Sequence, residues 1–175
     1  MSSEVQYWDS GLFINLITNK DPAKVSAITE MWRSAQRGNA IIAVSNFVLV
    51  EVRPKQGFEK DYQQVVSEML EASWPFVHWY AVSREIALEA RKLAVDHPRL
   101  TPPDTIHLAT ALQAEASVFL TYDGLHENKH NRRTKDLLAY DGKIGKEGMA
   151  ALRIEVPRHG YGTMFDQGPR ATPTV

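Results

Sequence analysis

The chain has 175 residues, 43% of them hydrophobic and 23% charged, with a formal net charge of −1 and no cysteine. These values describe a folded globular domain with a real core, and they exclude disulfides, iron–sulfur clusters and cysteine-ligated zinc. A near-neutral chain cannot grip nucleic acid mainly by counterion release, so any such contact is local, metal-bridged or both.

The lack of cysteine fits a reducing cytoplasm, the expected location. Met1 to Tyr7 has no basic region leading into an apolar stretch, so no signal peptide is expected. No long uncharged apolar run predicts a membrane span. There is no internal repeat or low-complexity tract.

In chain order, Val5 to Asp9 reads as a short strand. Asp21-Pro22 starts a helix, with Asp21 as cap and Pro22 in the first turn; it runs to about Gln36 and stops at Gly38. Ala40 to Val44 is a β-branched apolar strand. Phe47 to Val52 is apolar except for Glu51, and periodicity leaves helix and strand both open there. Phe58 to Ala72 is predicted helical and Phe76 to Tyr80 a strand. Ser83 to Asp96 is helical, with Ile86, Ala87, Ala90, Leu93 and Ala94 at helical spacing. Thr101 caps a helix over Pro102 to Ala116. Val118 to Thr121 is a strand, Arg132 to Tyr140 a helix and Leu152 to Val156 a last strand. Alternation of strands and helices predicts an α/β domain with a mainly parallel sheet. The proline- and glycine-bearing stretch from Pro157 to Val175 reads as an extension.

In open α/β sheets ligands bind beyond the carboxyl ends of the strands. Asp9 ends the first strand, Asp123 follows the strand at Val118 to Thr121, and Asp104 sits in the first turn of its helix. Glu51 is an acid within an apolar run, where it is costly unless something pairs with it. Each has a plain reading as well. Asp9 could cap the segment opening at Ser10-Gly11, Asp104 fits a capping box with Thr101, Asp123-Gly124 is a common turn pair, and Glu51 could pair with Arg53. Four such acids at one sheet edge are better explained together. Clustered carboxylates repel, a cation resolves the repulsion, and all-oxygen donors suit Mg²⁺ or Mn²⁺.

The stretches carrying these acids resemble those of PIN domains, in matching order from Val5 to Asp123. VQYWDSGLFINL (Val5 to Leu16) is similar to the PIN opening, SNFVLVEV (Ser45 to Val52) to the helix of the second acid, TPPDTIHLATAL (Thr101 to Leu112) to the third-acid helix, and VFLTYD (Val118 to Asp123) to the strand ending in Thr-x-Asp. The resemblance implies a three-layer α/β/α sandwich, a Mg²⁺ or Mn²⁺ cofactor and hydrolysis of RNA phosphodiester bonds. It extends to the VapC-like toxins of toxin–antitoxin pairs, implying a small antitoxin-like partner and a homodimer. On this reading Asp9, Asp104 and Asp123 hold one or two ions and Glu51 completes the set or orients the attacking water. Single-stranded RNA would bend into the acidic notch. Residues 1–156 then form the nuclease domain, with a polar insertion at 126–149 that compact relatives lack, and 157–175 the extension.

Thr121 is placed to hydrogen-bond one of these acids, or is simply a β-branched strand residue. His107, one turn from Asp104, reads first as a plain helix histidine and second as a support for the acids. Lys129, Arg132 and Arg133 form a basic run after Asp123 that either tracks RNA or is ordinary charged surface. Two further classes compete. One is a PIN-like fold used only as a binding module. The other is a zinc metalloprotease, because His126-Glu127-Asn128-Lys129-His130 spells H-E-x-x-H. Its polar, basic flanks and the lack of an obvious third ligand argue against zinc.

Overall fold

The computed structural model describes residues 3–18, 21–53, 57, 59–124 and 136–160. Five strands are present: β1 (Glu4–Trp8), β2 (Ala40–Ser45), β3 (Val77–Tyr80), β4 (Val118–Leu120) and β5 (Arg153–Glu155). They pair in the order β3-β2-β1-β4-β5, and every pairing is parallel. The runs predicted as strands are therefore strands, displaced by a residue or so at their ends.

Six α-helices accompany them among the described residues: α1 (Ser10–Thr18), α2 (Pro22–Gln36), α3 (Val48–Glu51), α4 (Glu59–Val65), α5 (Arg84–Asp96) and α6 (Pro102–Gln113). The run from Phe47 to Val52, ambiguous by periodicity, holds the one-turn helix α3. Helix α4 continues into a π turn at Val66–Leu70. That wider turn brings Val65 and Leu70, five apart and both buried, toward one apolar cluster. Asp21 caps α2 as expected, accepting hydrogen bonds from the Ala23 and Lys24 amides. The described part of the helix expected from Arg132 to Tyr140 is instead a single 3-10 turn, Leu137–Tyr140. Asp136 opens it by accepting from the Ala139 amide, and Gly142, at φ +66°, follows it.

Strand alternation sends neighbours to opposite faces, and both faces are covered. Trp8 packs with Phe13, Trp32 and Ile28 under α1 and α2. Tyr7 faces the other way, stacking on Phe119 at 5.0 Å beside Leu108 of α6 and near α5. The result is a three-layer α/β/α sandwich. A core side chain such as Trp8, 0% exposed, contributes several kcal/mol; truncation to Ala would cost about 3–5 kcal/mol. The strand order reverses between β1 and β4, because β2 and β3 lie on one side of β1 and β4 on the other. The carboxyl ends of β1 and β4 thus flank a topological switch point, where side chains on following loops converge.

Beyond β5 the chain turns back onto α2, where the Gly160 amide and His159 Nδ1 reach the Glu30 carboxylate at 3.0 and 2.6 Å. Among the described residues no helix is long and apolar enough to cross a membrane.

Candidate active site

Asp9 follows β1, and its backbone still belongs to the ladder, its amide donating to Leu120 O at 3.1 Å. Its carboxylate is held on both sides. The Ser10 amide donates to Oδ1 at 2.8 Å and the Thr121 hydroxyl to Oδ2 at 2.8 Å. The same Thr121 oxygen accepts the Asp123 amide at 3.0 Å. One fully buried hydroxyl therefore ties the acid after β1 to the turn after β4. That turn depends on Gly124, which sits at φ +106° and where a Cβ would collide with Asp136 Oδ1.

Glu51 ends α3. Its Oε2 lies 2.6 Å from Nε2 of His107, which is buried in α6. The same nitrogen is 3.9 Å from Asp9 Oδ1, and the other ring nitrogen, Nδ1, is 2.7 Å from the Tyr7 hydroxyl. Asp9, Glu51 and His107 form a group whose donor atoms lie within 4.8 Å of one another. Asp9, Glu51 and Asp123 open onto one cleft of about 480 Å³, also lined by Ile14, Phe47, Val50 and Arg53.

Asp104 is placed differently. It is buried at the third position of α6, where Oδ2 accepts from the Thr101 amide at 2.9 Å and from the Thr101 hydroxyl at 2.6 Å. This is the capping box that the sequence suggested. Its neighbour Pro103 lines the cleft, while Asp104 itself lines an adjoining cavity with Arg99 and Asp136. The acidic notch thus consists of three carboxylates and a histidine, with the fourth carboxylate one helical turn away. Sequence reasoning gave His107 a minor place and passed over Tyr7. The i, i+3 spacing of Asp104 and His107 was the available signal for the former.

The electrostatics are those of charge gathered away from water. Burial is the main cause raising the Asp9 carboxyl above its ordinary value. The nearby charge of Glu51 adds to it, while His107 and the hydrogen bonds from Thr121 and Ser10 oppose it. Burial pulls His107 down, yet its hydrogen bond to Glu51 and the charges of Asp9, Glu51 and Asp104 outweigh this, and its affinity for a proton is raised. Negative charge here calls for a cation, and three carboxylates on one cleft, two of them grouped with the His107 imidazole, fit a divalent ion. The basic run Lys129, Arg132 and Arg133 and the His126-Glu127-x-x-His130 motif lie outside the described residues.

The family model for the PIN domain matches residues 7–129. No curated protein matches the chain. Among solved structures, the fold is shared with VapBC2 from Rickettsia felis, crystallised with a DNA fragment from its promoter. That match has 14% identity and a TM-score of 0.53 and covers 87% of this chain and 98% of the other. It is also shared with Mycobacterium tuberculosis VapC20, a toxin that cleaves the sarcin–ricin loop, at 16% identity and a TM-score of 0.54, covering 68% of this chain and 90% of that one. At such identities the likeness is one of fold.

Proposed function

The chain belongs to the PIN domain family, and on that premise we propose that it is a Mg²⁺- or Mn²⁺-dependent endoribonuclease acting as the toxin of a toxin–antitoxin pair. The observation that carries the nuclease reading is the convergence of Asp9, Glu51 and Asp123 on one cleft at the switch point between β1 and β4. Asp9, Glu51 and Asp123 would hold the metal, and Asp104 adds its charge from the capping box. A bound divalent ion supplies a water of lowered pKa and neutralises charge on the scissile phosphate.

The protein's own groups do the rest. Thr121 fixes Asp9 relative to the Asp123 turn. Arg53, held through its Nε by the Val50 carbonyl at 2.8 Å, brings a guanidinium to the cleft for a phosphate. Phe47, Val50 and Ile14 provide apolar surface against which an unpaired base can lie. Lys129, Arg132 and Arg133 follow Asp123 in sequence and are proposed to extend the contact along the RNA backbone.

The toxin part of the proposal is supported by the shared fold with a toxin and with a VapBC pair. The partner would be a small antitoxin-like protein blocking the cleft, beside which Leu49 and Val50 are half exposed. Leu88 and Val95, two turns apart and exposed on α5, offer an apolar face for a homodimer. The location is proposed to be cytoplasmic. Incubation with mixed cellular RNA tests the nuclease reading: fragments should appear with Mg²⁺ or Mn²⁺, and neither with EDTA nor with Asp9→Asn.

A second reading, a binding module without catalysis, is favoured by one observation. His107 already stands between Asp9 and Glu51 and, when protonated, offsets one of their two charges without a metal. Intact RNA in the presence of metal, with the protein folded and bound to RNA, would decide for it.

A further inference from the structure

Glu51 is carried by the shortest α-helix among the described residues. Helix α3 spans one turn, has no side-chain cap at its N-terminus, and gives way to extended backbone at Val52. Its carboxylate nevertheless meets one of the most firmly seated side chains in the molecule. His107 is 2% exposed within α6, and Phe47 packs edge-on against its ring at 5.8 Å. Behind it stands Tyr7, 0% exposed, in the central strand β1, which is paired on both sides. We propose that Tyr7 is a positioning residue of the metal site: its hydroxyl orients the His107 imidazole, which in turn aims the Glu51 carboxylate at the cleft. This rests on reading the cleft as a metal site.

The chemistry gives the chain of contacts a direction. A carboxylate only accepts, so His107 Nε2 is the donor in the 2.6 Å contact with Glu51. In a neutral ring Nδ1 must then accept, and the Tyr7 hydroxyl at 2.7 Å is the donor that satisfies it. Bonds at both nitrogens select one tautomer and oppose a ring flip, which would present carbons to both partners. Packing does not require the hydroxyl, because the Tyr7 ring stacks on Phe119 at 5.0 Å as phenylalanine would. A hydroxyl at this depth is costly unless it is bonded; Ser45 donates to its oxygen, and His107 is the acceptor for its proton.

The test uses the full-length protein, with Mn²⁺ as the probe. Tyr7→Phe should fold. Nitrogen-15 spectra in EDTA, at a pH high enough to keep the ring neutral, should show His107 losing its single tautomer, and Mn²⁺ affinity should fall about tenfold or more. On RNA, kcat should fall with little change in KM. His107→Gln retains a donor toward Glu51 and should keep more Mn²⁺ affinity than His107→Leu, a comparison that holds even if Tyr7→Phe does not fold. Unchanged ring signals and Mn²⁺ affinity in Tyr7→Phe, or equal losses in the two His107 variants, would overturn the relay. So would nitrogen hyperfine coupling to bound Mn²⁺, which would make His107 a ligand rather than a support for Glu51. Wild type that binds Mn²⁺ but leaves RNA intact overturns the nuclease reading, while the affinity ratios still decide the relay. Wild type that binds no Mn²⁺ overturns both.

Discussion

Glu51 Oε2 and His107 Nε2 meet at 2.6 Å although the two residues are 56 positions apart. One belongs to a helix of a single turn, the other to the buried face of a twelve-residue helix. Their contact joins the β2–β3 side of the sheet to the α6 layer at the mouth of the cleft. It is the tertiary contact on which the charge balance of the site turns.

Replacing Asp9 should separate metal binding from folding. Asp9→Asn keeps an oxygen acceptor for the Thr121 hydroxyl, loses the one that faces the Ser10 amide, and removes a buried charge. We expect metal-dependent cleavage to be lost with folding preserved, because removal of the buried charge offsets the lost Ser10 hydrogen bond. Wild type at a hundred times the metal dissociation constant should gain about 2.7 kcal/mol, and the variant much less. Equal metal-induced stabilisation in melts of the two proteins would remove Asp9 from the ion site.

Asp104 has a structural and a functional role that two variants can separate. Thr101→Val breaks the capping box without changing charge and should cost about 1 kcal/mol while leaving Mn²⁺ affinity unchanged. Asp104→Asn retains an oxygen for Thr101 but removes a charge near His107, and should lose cleavage with folding preserved. If denaturation and calorimetry show the two variants to be alike, Asp104 is a cap and nothing more.

Without metal, stability should fall as pH rises. The folded-state pKa of His107 lies above its ordinary 6.5, for although burial opposes protonation, the hydrogen bond to Glu51 and the surrounding acids outweigh it. A group raised on folding contributes stability that is complete below its unfolded pKa and is lost as pH rises through its folded one. The His107 contribution is therefore full below 6.5 and is lost as pH rises from there through the raised folded value. Asp9, raised above 3.8 chiefly by burial, has the same sign. Melts in EDTA from about pH 5.5 to about pH 8.5 should show the decline, and Mg²⁺ should flatten it. A profile in EDTA that is already flat would contradict this account of the charge balance.

Gly124→Ala should damage the site through the backbone. At φ +106° an added methyl is strained, and it would also strike Asp136. We expect a loss of about 1–3 kcal/mol, with weaker metal binding because the Asp123 turn must shift. Thermal melts and Mn²⁺ titration should move together; a destabilised variant with wild-type Mn²⁺ affinity would show that Asp123 is not held by this turn.

Much of this protein is legible locally. The strands at Ala40 and Val118, the Asp21-Pro22 helix start and the Thr101–Asp104 capping box follow from propensity and short-range hydrogen bonding, which act within a few residues. The sequence grouped the acids at positions 9, 51, 104 and 123, because parallel sheets gather loop residues at the carboxyl ends of their strands. The Tyr7–His107–Glu51 chain could not be read this way. Its links span 100 and 56 positions, and they exist only because β1 is the central strand and α6 packs against its Tyr7 face. The separation of Asp104 from the cleft shared by Asp9, Glu51 and Asp123 was likewise visible only in three dimensions, although the Thr101 bonds that hold its carboxylate are local. Sequence alone nominated four acids for the sheet edge. The tertiary structure decided which of them share the cleft and what neutralises them, because buried charges are balanced by whatever the packing brings within hydrogen-bonding reach.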